Sequence, residues 1–168
     1  CGAWRTCEPM ETATGINWPR ILAQAFLAGA TGAVLLHVYL WLTVLLPHHT
    51  SIVGLWQWIA SVAIGKVALT NAGYAWLGVA VHLGVSIAWA GGYAFLAAQR
   101  HFMNDRWIVS GLVYGIVVYV FMQLLLLGAN SFSFPATPND VINALFASAA
   151  FFGLPVAYVV TAMNRTRA

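Results

Sequence analysis

Residues 21–46 read ILAQAFLAGATGAVLLHVYLWLTVLL and contain no Asp, Glu, Lys or Arg. About 20 apolar residues in a helix cross the hydrocarbon core of a bilayer, because each residue adds about 1.5 Å of length. The segment is therefore long enough to cross a membrane with some tilt. Pro47 follows directly and predicts the end of the helix.

The remainder of the chain is as poor in charge as this segment. Charged residues make up 7% of the 168 positions and hydrophobic residues 61%, whereas about a quarter of a soluble domain is charged. The formal charges between Arg20 and Arg165 are Lys66, Arg100, Asp105, Arg106 and Asp140. This composition predicts an integral membrane protein. The net charge of +3 does not indicate nucleic-acid binding, because the basic residues form no run.

Three more apolar segments predict spans at 74–98, 107–128 and 141–163. Residues 52–65 are too few to span, and their tryptophans Trp56 and Trp58 suit the headgroup layer. This shorter segment predicts an interfacial helix on the outer surface.

The predicted fold class is therefore all-α. We expect an integral membrane four-helix bundle over residues 21–163, with a short interfacial helix between the first and second spans. Residues 1–20 form a predicted N-terminal cytoplasmic segment, and residues 164–168 form a cytoplasmic tail.

The basic residues orient this bundle. With four spans, Lys66 lies on one side of the membrane and every other Lys or Arg on the other. Cytoplasmic loops carry the excess of basic residues, so both termini are predicted to be cytoplasmic. The residues on the predicted cytoplasmic side are Arg5, Arg20, Arg100, Arg106, Arg165 and Arg167.

The first residues leave alternatives open. Met10 is a plausible initiator, and Cys1-Gly2-Ala3 also looks like the N-terminus of a mature lipoprotein. The lipoprotein reading would place the N-terminus outside the cytoplasm and would allow a disulfide between Cys1 and Cys7. The charge pattern argues against it.

Small residues recur at intervals of four along the spans, which places them on one helix face. Such faces let helices pack closely in lipid. We expect helix packing at Gly29 and Ala33 in the first span and at Gly111 and Gly115 in the third. In the second span, the ridge consists of Ala80, Gly84, Ala88 and Gly92.

Polar side chains inside the spans are the candidate site. His37 and His82 lie at a similar depth, about 12–14 Å below the outer boundary at 1.5 Å per residue. Gln123 lies somewhat shallower, and Ser86 and Tyr93 share a face with His82. The predicted polar intramembrane cluster is His37, His82, Ser86, Tyr93 and Gln123.

Three interpretations of this cluster stay open. It can be a structural set of hydrogen bonds between helices. It can bind haem b through His37 and His82 as a redox carrier. It can be the polar pocket of an oligomeric transporter or channel, lined by both histidines and Gln123.

Catalytic patterns are absent from the sequence. It has no Ser/His/Asp set, no paired carboxylates, no Gly-rich phosphate loop and no Cys/His cluster with metal spacing. We therefore predict no enzymatic activity, no metal site and no cofactor, with haem b as the alternative.

The sequence from the second span onward resembles the YagU-like family of bacterial inner-membrane proteins. The resemblance covers roughly residues 52–163 and rests on HLGVSIAWAGGY at 82–93, GLVYG at 111–115 and the polar Gln123. QWIASVAIG at 57–65 looks like the outer-surface helix of related small membrane proteins. The resemblance implies a four-helix protein of the bacterial inner membrane, and it supplies no mechanism.

The sequence as a whole predicts a small accessory or structural subunit of a larger membrane complex. The chain has almost no extramembrane mass, and a small-residue ridge that faces away from the bundle needs a partner. The predicted partners are the lipid bilayer and other membrane subunits or a second copy of the chain.

Overall fold

The structure is a computed structural model that describes residues 16–46, 51–128 and 138–166. These residues are almost entirely helical, and they form no β-strand. The predicted all-α class is confirmed. The expectations for Cys1, Cys7, Met10, Arg5 and Arg167 fall outside the described residues.

Seven α-helices follow one another along the described segments. They are α1 Trp18–Leu40, α2 Ile52–Ile64, α3 Ala75–Gln99, α4 His101–Asp105, α5 Trp107–Gly128, α6 Pro138–Ala147 and α7 Leu154–Arg165. Short 3₁₀-helical and π-helical segments continue or connect some of these helices. A π-turn, Trp41–Leu45, continues α1; 3₁₀ turns Gly65–Thr70 and Ala72–Tyr74 connect α2 to α3; and a π-segment, Ser148–Gly153, joins α6 to α7.

Local sequence explains where α1 and α2 begin. The Asn17 side-chain oxygen accepts a hydrogen bond from the Arg20 backbone N–H at 3.1 Å, and Pro19 lies in the first turn, where it has no intrahelical N–H to lose. Ser51 caps α2 in the same way, accepting from the Gly54 backbone N–H at 3.5 Å. Both helices therefore begin at residues that satisfy otherwise unpaired backbone donors.

The last span is wider than an α-helix in its middle. The π-segment Ser148–Gly153 ends two residues before Pro155. A proline ring clashes with the carbonyl four residues earlier and donates no N–H, and a π-turn accommodates both effects. Pro155 lies inside the predicted last span, where a proline is expected to kink the helix, and the structure has the π-segment at this place.

Glycines set the closest helix contacts. A Cβ added to Gly29 of α1 would lie 2.6 Å from the Ile87 Cα of α3. One added to Gly115 of α5 would lie 2.6 Å from the Ala149 Cα in the π-segment. Gly153 in turn approaches the backbone of Gly111. α1 therefore packs on α3, and α5 packs on the last span, with backbones close together as in other membrane bundles.

The described residues contain five candidate membrane spans by length and composition: Trp18–Thr43, Ile52–Thr70, Ala72–Gln99, Trp107–Leu126 and Pro138–Arg165. They make the chain a multi-pass membrane protein by this criterion. The sequence predicted four spans, and that count is not confirmed, because 3₁₀ turns carry the predicted interfacial segment past Lys66 as far as Thr70.

The additional candidate is interrupted at Gly65, which has φ of 76° and ψ of −168°. Such a left-handed φ suits glycine and ends the regular helix. The Gln57 side-chain nitrogen then donates to the Ala68 carbonyl at 3.1 Å, although the two residues are 11 apart in sequence. A straight helix would separate them by about 16 Å. The turn Gly65–Thr70 therefore folds back against α2.

Large apolar side chains cover the outside of the spans. Exposed apolar side chains occur along α1, α5 and the last span, where contact with lipid is more favourable than contact with water. They include Leu22, Phe26, Val34, Val113, Val117, Leu124, Ile142 and Tyr158. These faces contact the bilayer.

Candidate functional site

Helices α1, α2 and α3 bring three rings together near the predicted outer end of the bundle. The His37 ring of α1 stacks on Trp56 of α2, with centroids 4.2 Å apart and planes 12° apart. His82 of α3 meets the His37 ring edge to face at 4.3 Å and 75°. The predicted meeting of the two histidines is therefore present in the structure, and Trp56 joins them.

Hydrogen bonds define what these histidines offer. The His37 Nδ1 lies 3.0 Å from the Ala33 carbonyl oxygen. Because a carbonyl only accepts, Nδ1 donates, and Nε2 of the neutral ring is then an acceptor. That Nε2 is buried and has no hydrogen-bond partner among the described residues. Leaving a buried acceptor unpaired costs about 1–3 kcal/mol, so this atom is a candidate ligand contact.

Ser86 joins the pair from the next turn of α3. Its Oγ lies 3.4 Å from the His82 Nε2, which is a long hydrogen bond. Ser86 itself is buried at the place where α3 meets Gly29 of α1. The close approach of α1 and α3 therefore fixes the backbone that carries both His82 and Ser86.

The other two residues of the predicted cluster lie elsewhere. Tyr93 is completely buried, two turns along α3 from Ser86, where its hydroxyl donates to the Met103 carbonyl at 3.5 Å. Gln123 is half-buried on α5, and the neighbouring Met122 takes the position facing the histidines. The cluster that the structure assembles is therefore His37, His82 and Ser86, with Trp56 added.

The spacing of the two imidazoles does not suit haem. An iron bound by two imidazoles at about 2 Å places the ring centroids about 6 Å apart, with the porphyrin between them. Here the rings touch at a centroid distance of 4.3 Å. We therefore do not propose haem. Within the described residues there is also no group of three or more His, Cys, Asp or Glu side chains that could hold a metal ion.

Two cavities adjoin the histidines. One of about 310 Å³ lies between α1, α2, α3 and α5 and is lined by both His37 and His82. The other, of about 220 Å³, lies between α1, α3, α5 and the last span and is lined by His82 and Ser86. Both histidine rings thus form part of a cavity wall.

A second candidate surface is the outer face of α3. Ala80, Gly84 and Ala88 are all exposed. A Cβ added to Gly84 would have no heavy atom of residues 16–46, 51–128 or 138–166 within 4 Å. The helix packing that the sequence predicts at Gly84 therefore has no partner within the described bundle, because α3 turns this face outward and packs on α1 through Ile87 instead. Gly92, the last residue of the ridge, lies near the Tyr114 hydroxyl.

Sequence reasoning missed a polar network at the opposite end of the bundle. The Gln24 side-chain nitrogen donates to Asn164 Oδ1 at 2.7 Å, and Asn164 Nδ2 donates to Asn104 Oδ1 at 2.8 Å. Asn104 in turn donates to the Ala97 carbonyl at 2.9 Å. Gln24 was a polar residue inside an apolar segment, which is the signal that could have found it.

The sequence predicts Trp56 in the headgroup layer, and no local pattern indicates its contact with a histidine. Its position follows from a contact between helices: the Trp56 carbonyl lies against Gly78 of α3, where a Cβ would overlap it. A glycine at this point lets α2 approach α3 closely enough for the indole to reach His37.

Taken together, the helices and their apolar faces define a multi-pass helical membrane protein. No family model matches the chain, and no curated protein or solved structure matches it significantly. The resemblance to the YagU-like family therefore stays a prediction.

Proposed function

We propose that the chain is a non-catalytic accessory or structural subunit, which associates with a transmembrane helix of another membrane protein through the outer face of α3. The observation that carries the proposal is the open position of Gly84, flanked by exposed Ala80 and Ala88. Lipid tails gain nothing from a groove of small residues, whereas a second helix can approach its backbone closely.

The rest of the molecule supports this reading. The other described glycines inside the long helices meet neighbouring protein atoms within 4 Å. Gly29 and Gly115, for example, lie against the backbones of α3 and the π-segment. Among the described residues, small residues thus mark helix contacts, and the Gly84 face has the same composition without a partner in that part of the chain. We place the assembly in the bacterial inner membrane, with both termini in the cytoplasm.

The test is native electrophoresis of the full chain in mild detergent, comparing wild type with Ala88→Leu. A leucine at this exposed position would fill the groove and hold a partner helix away. We expect wild type to migrate in a larger assembly and Ala88→Leu to lower the assembled fraction about tenfold, which corresponds to about 1.4 kcal/mol.

Ala23→Leu is the matched control, because Ala23 is also exposed but lies on α1. It should leave the assembly intact. A wild-type protein that migrates as a monomer, or an Ala88→Leu variant that assembles like wild type, would contradict the proposal. Co-purification of two differently tagged copies separates self-association from binding to another subunit.

A further inference from the structure

The two cavities beside the histidines share part of their walls. Four side chains line both cavities: Leu40, His82, Val85 and Met122. The His82 ring thus lies at the junction of two spaces of about 310 and 220 Å³. For comparison, an engineered apolar cavity of about 150 Å³ holds a benzene molecule. Each space is therefore large enough for a small organic group.

The walls determine the charge of an occupant. None of the described residues that line either cavity is Asp, Glu, Lys or Arg, and most are aliphatic. A charged ligand would have no counter-ion there, and burying an unpaired charge is strongly unfavourable. An occupant of these cavities is therefore neutral and mostly apolar.

The histidine pair determines which hydrogen bond an occupant of the cavities can make. His37 Nδ1 is already engaged with the Ala33 carbonyl, which leaves the buried Nε2 as an unpaired acceptor. An occupant that satisfies this atom must bring a donor. The Trp56 ring lies parallel to His37 at 4.2 Å, lines neither cavity, and covers one face of this imidazole.

We infer that the cleft between α1, α2, α3 and α5 binds a neutral, lipid-soluble molecule with an apolar body and a hydroxyl group that donates a hydrogen bond to the His37–His82 pair. The apolar body occupies the cavities, and the hydroxyl lies at the wall formed by the two imidazoles. This site is separate from the outer face of α3, so it neither requires nor supports the proposed association.

One movement accompanies binding. The His37 Nε2 is covered by its neighbours in the structure, so a neighbouring ring must shift before a hydroxyl reaches it. His82 is the neighbour that gives up the least hydrogen bonding when its ring moves. Its one hydrogen bond in the described part of the chain is the 3.4 Å contact with Ser86. The second cavity gives its ring space on the other side.

Two sources of this chemistry exist in membranes: phenolic headgroups, such as those of quinols, and aliphatic lipid alcohols. The experiment therefore titrates the full chain in lipid nanodiscs with para-hexylphenol and with decanol, each compared with its own methyl ether. Saturation-transfer NMR measures binding above that of empty nanodiscs. We expect at least one alcohol to bind saturably and about tenfold more tightly than its ether, which lacks the donor.

The better-bound alcohol identifies the source. Equal binding of both alcohols and their ethers, or no saturable binding, would overturn the inference. This comparison uses wild type and so does not depend on any variant folding.

Variants locate the site. His37→Phe keeps a flat ring against Trp56 but removes the acceptor, so it should abolish the difference between alcohol and ether. His101→Phe is the matched control, since His101 is exposed on α4 and lines neither cavity. Met122→Trp should fill both cavities and weaken alcohol and ether alike. An unchanged preference for the alcohol in a folded His37→Phe protein would overturn the assignment.

Discussion

Single glycines decide how closely the helices of this protein approach. Gly115 is one such case, because an added Cβ would lie 2.5 Å from the Ser148 carbonyl oxygen and 2.6 Å from the Ala149 Cα. Both neighbours are backbone atoms, which cannot turn aside as a flexible side chain can. The contact also includes the Ser148 hydroxyl, which donates to the Gly115 carbonyl at 2.8 Å.

We predict that Gly115→Ala lowers the free energy of unfolding by about 1–3 kcal/mol, the usual cost of forcing extra volume into a packed site. The measurement is unfolding by SDS titration in mixed micelles, followed by circular dichroism. Gly84→Ala is the matched control, because no atom of the described residues lies within 4 Å of its added Cβ. Equal stability of Gly115→Ala and wild type would show that α5 and the last span do not pack as closely as the structure has them.

The candidate site shows which residue positions the sequence could predict. His37 and His82 were expected together because both lie at a similar distance from the ends of their helices. Depth follows from counting residues at a fixed rise. Gln123 lies within about one helical turn of the depth of the histidines. The side chain of α5 that lines the cavities at this level is nevertheless Met122. The rotation of α5 about its axis is set by Gly111 and Gly115 against the last span. The spacing of these glycines predicts a packing face but does not indicate which helix it meets.

At the level of helices, the unsettled element is α2 with its 3₁₀ turn. Its length and composition allow a span, but Gly65 interrupts it, and the 13 residues of α2 alone measure about 20 Å. The hydrocarbon core of a bilayer is about 30 Å thick. The bond from Gln57 to the Ala68 carbonyl holds the following turn against α2 instead of extending it. We therefore expect both ends of this element on one side of the membrane.

Cysteine labelling in intact cells tests this topology. In a background in which serine replaces Cys1 and Cys7, we predict that Ser51→Cys and Thr70→Cys react with a membrane-impermeant maleimide from the same side. Both positions are exposed at the two ends of the element. Asp105→Cys, at the exposed end of α4, serves as the reference for the opposite side. Labelling of Ser51→Cys and Thr70→Cys from opposite sides would make the element a fifth span.

The sequence predicted the long helices from apolar length but not this element's shape. Local hydropathy reports whether a segment prefers lipid, and the segment from Ile52 to Thr70 does. The reversal depends on one backbone conformation, at Gly65, and on a side-chain bond between residues 11 apart. Glycine permits that conformation without requiring it, so only the packed structure reveals the reversal.

At the level of the whole molecule, polar side chains connect the ends of helices that are distant in sequence. Gln24 of α1 is 2% exposed and bonds to Asn164 of α7, which bonds to Asn104 of α4. The Arg20 guanidinium also donates to the Met163 carbonyl at 2.8 Å, next to this chain of amides. The first and last helices are thus joined by hydrogen bonds at one end, whereas the rings of His37, Trp56 and His82 and the two cavities lie toward the other.

This arrangement predicts coupling between the first and last helices. In a double-mutant cycle, Gln24→Leu and Asn164→Ala should each lower the free energy of unfolding. Their effects should be non-additive by about 0.5–2 kcal/mol, because either change breaks the same bond. The measurement is SDS titration of the two single variants and the double variant. Thr31→Ala is the control partner, since its exposed hydroxyl donates within α1, to the Leu27 carbonyl. Gln24→Leu combined with Thr31→Ala should be additive.

Additivity of Gln24→Leu with Asn164→Ala would mean that the amides do not join the two helices, and packing alone would then have to hold that end of the bundle together.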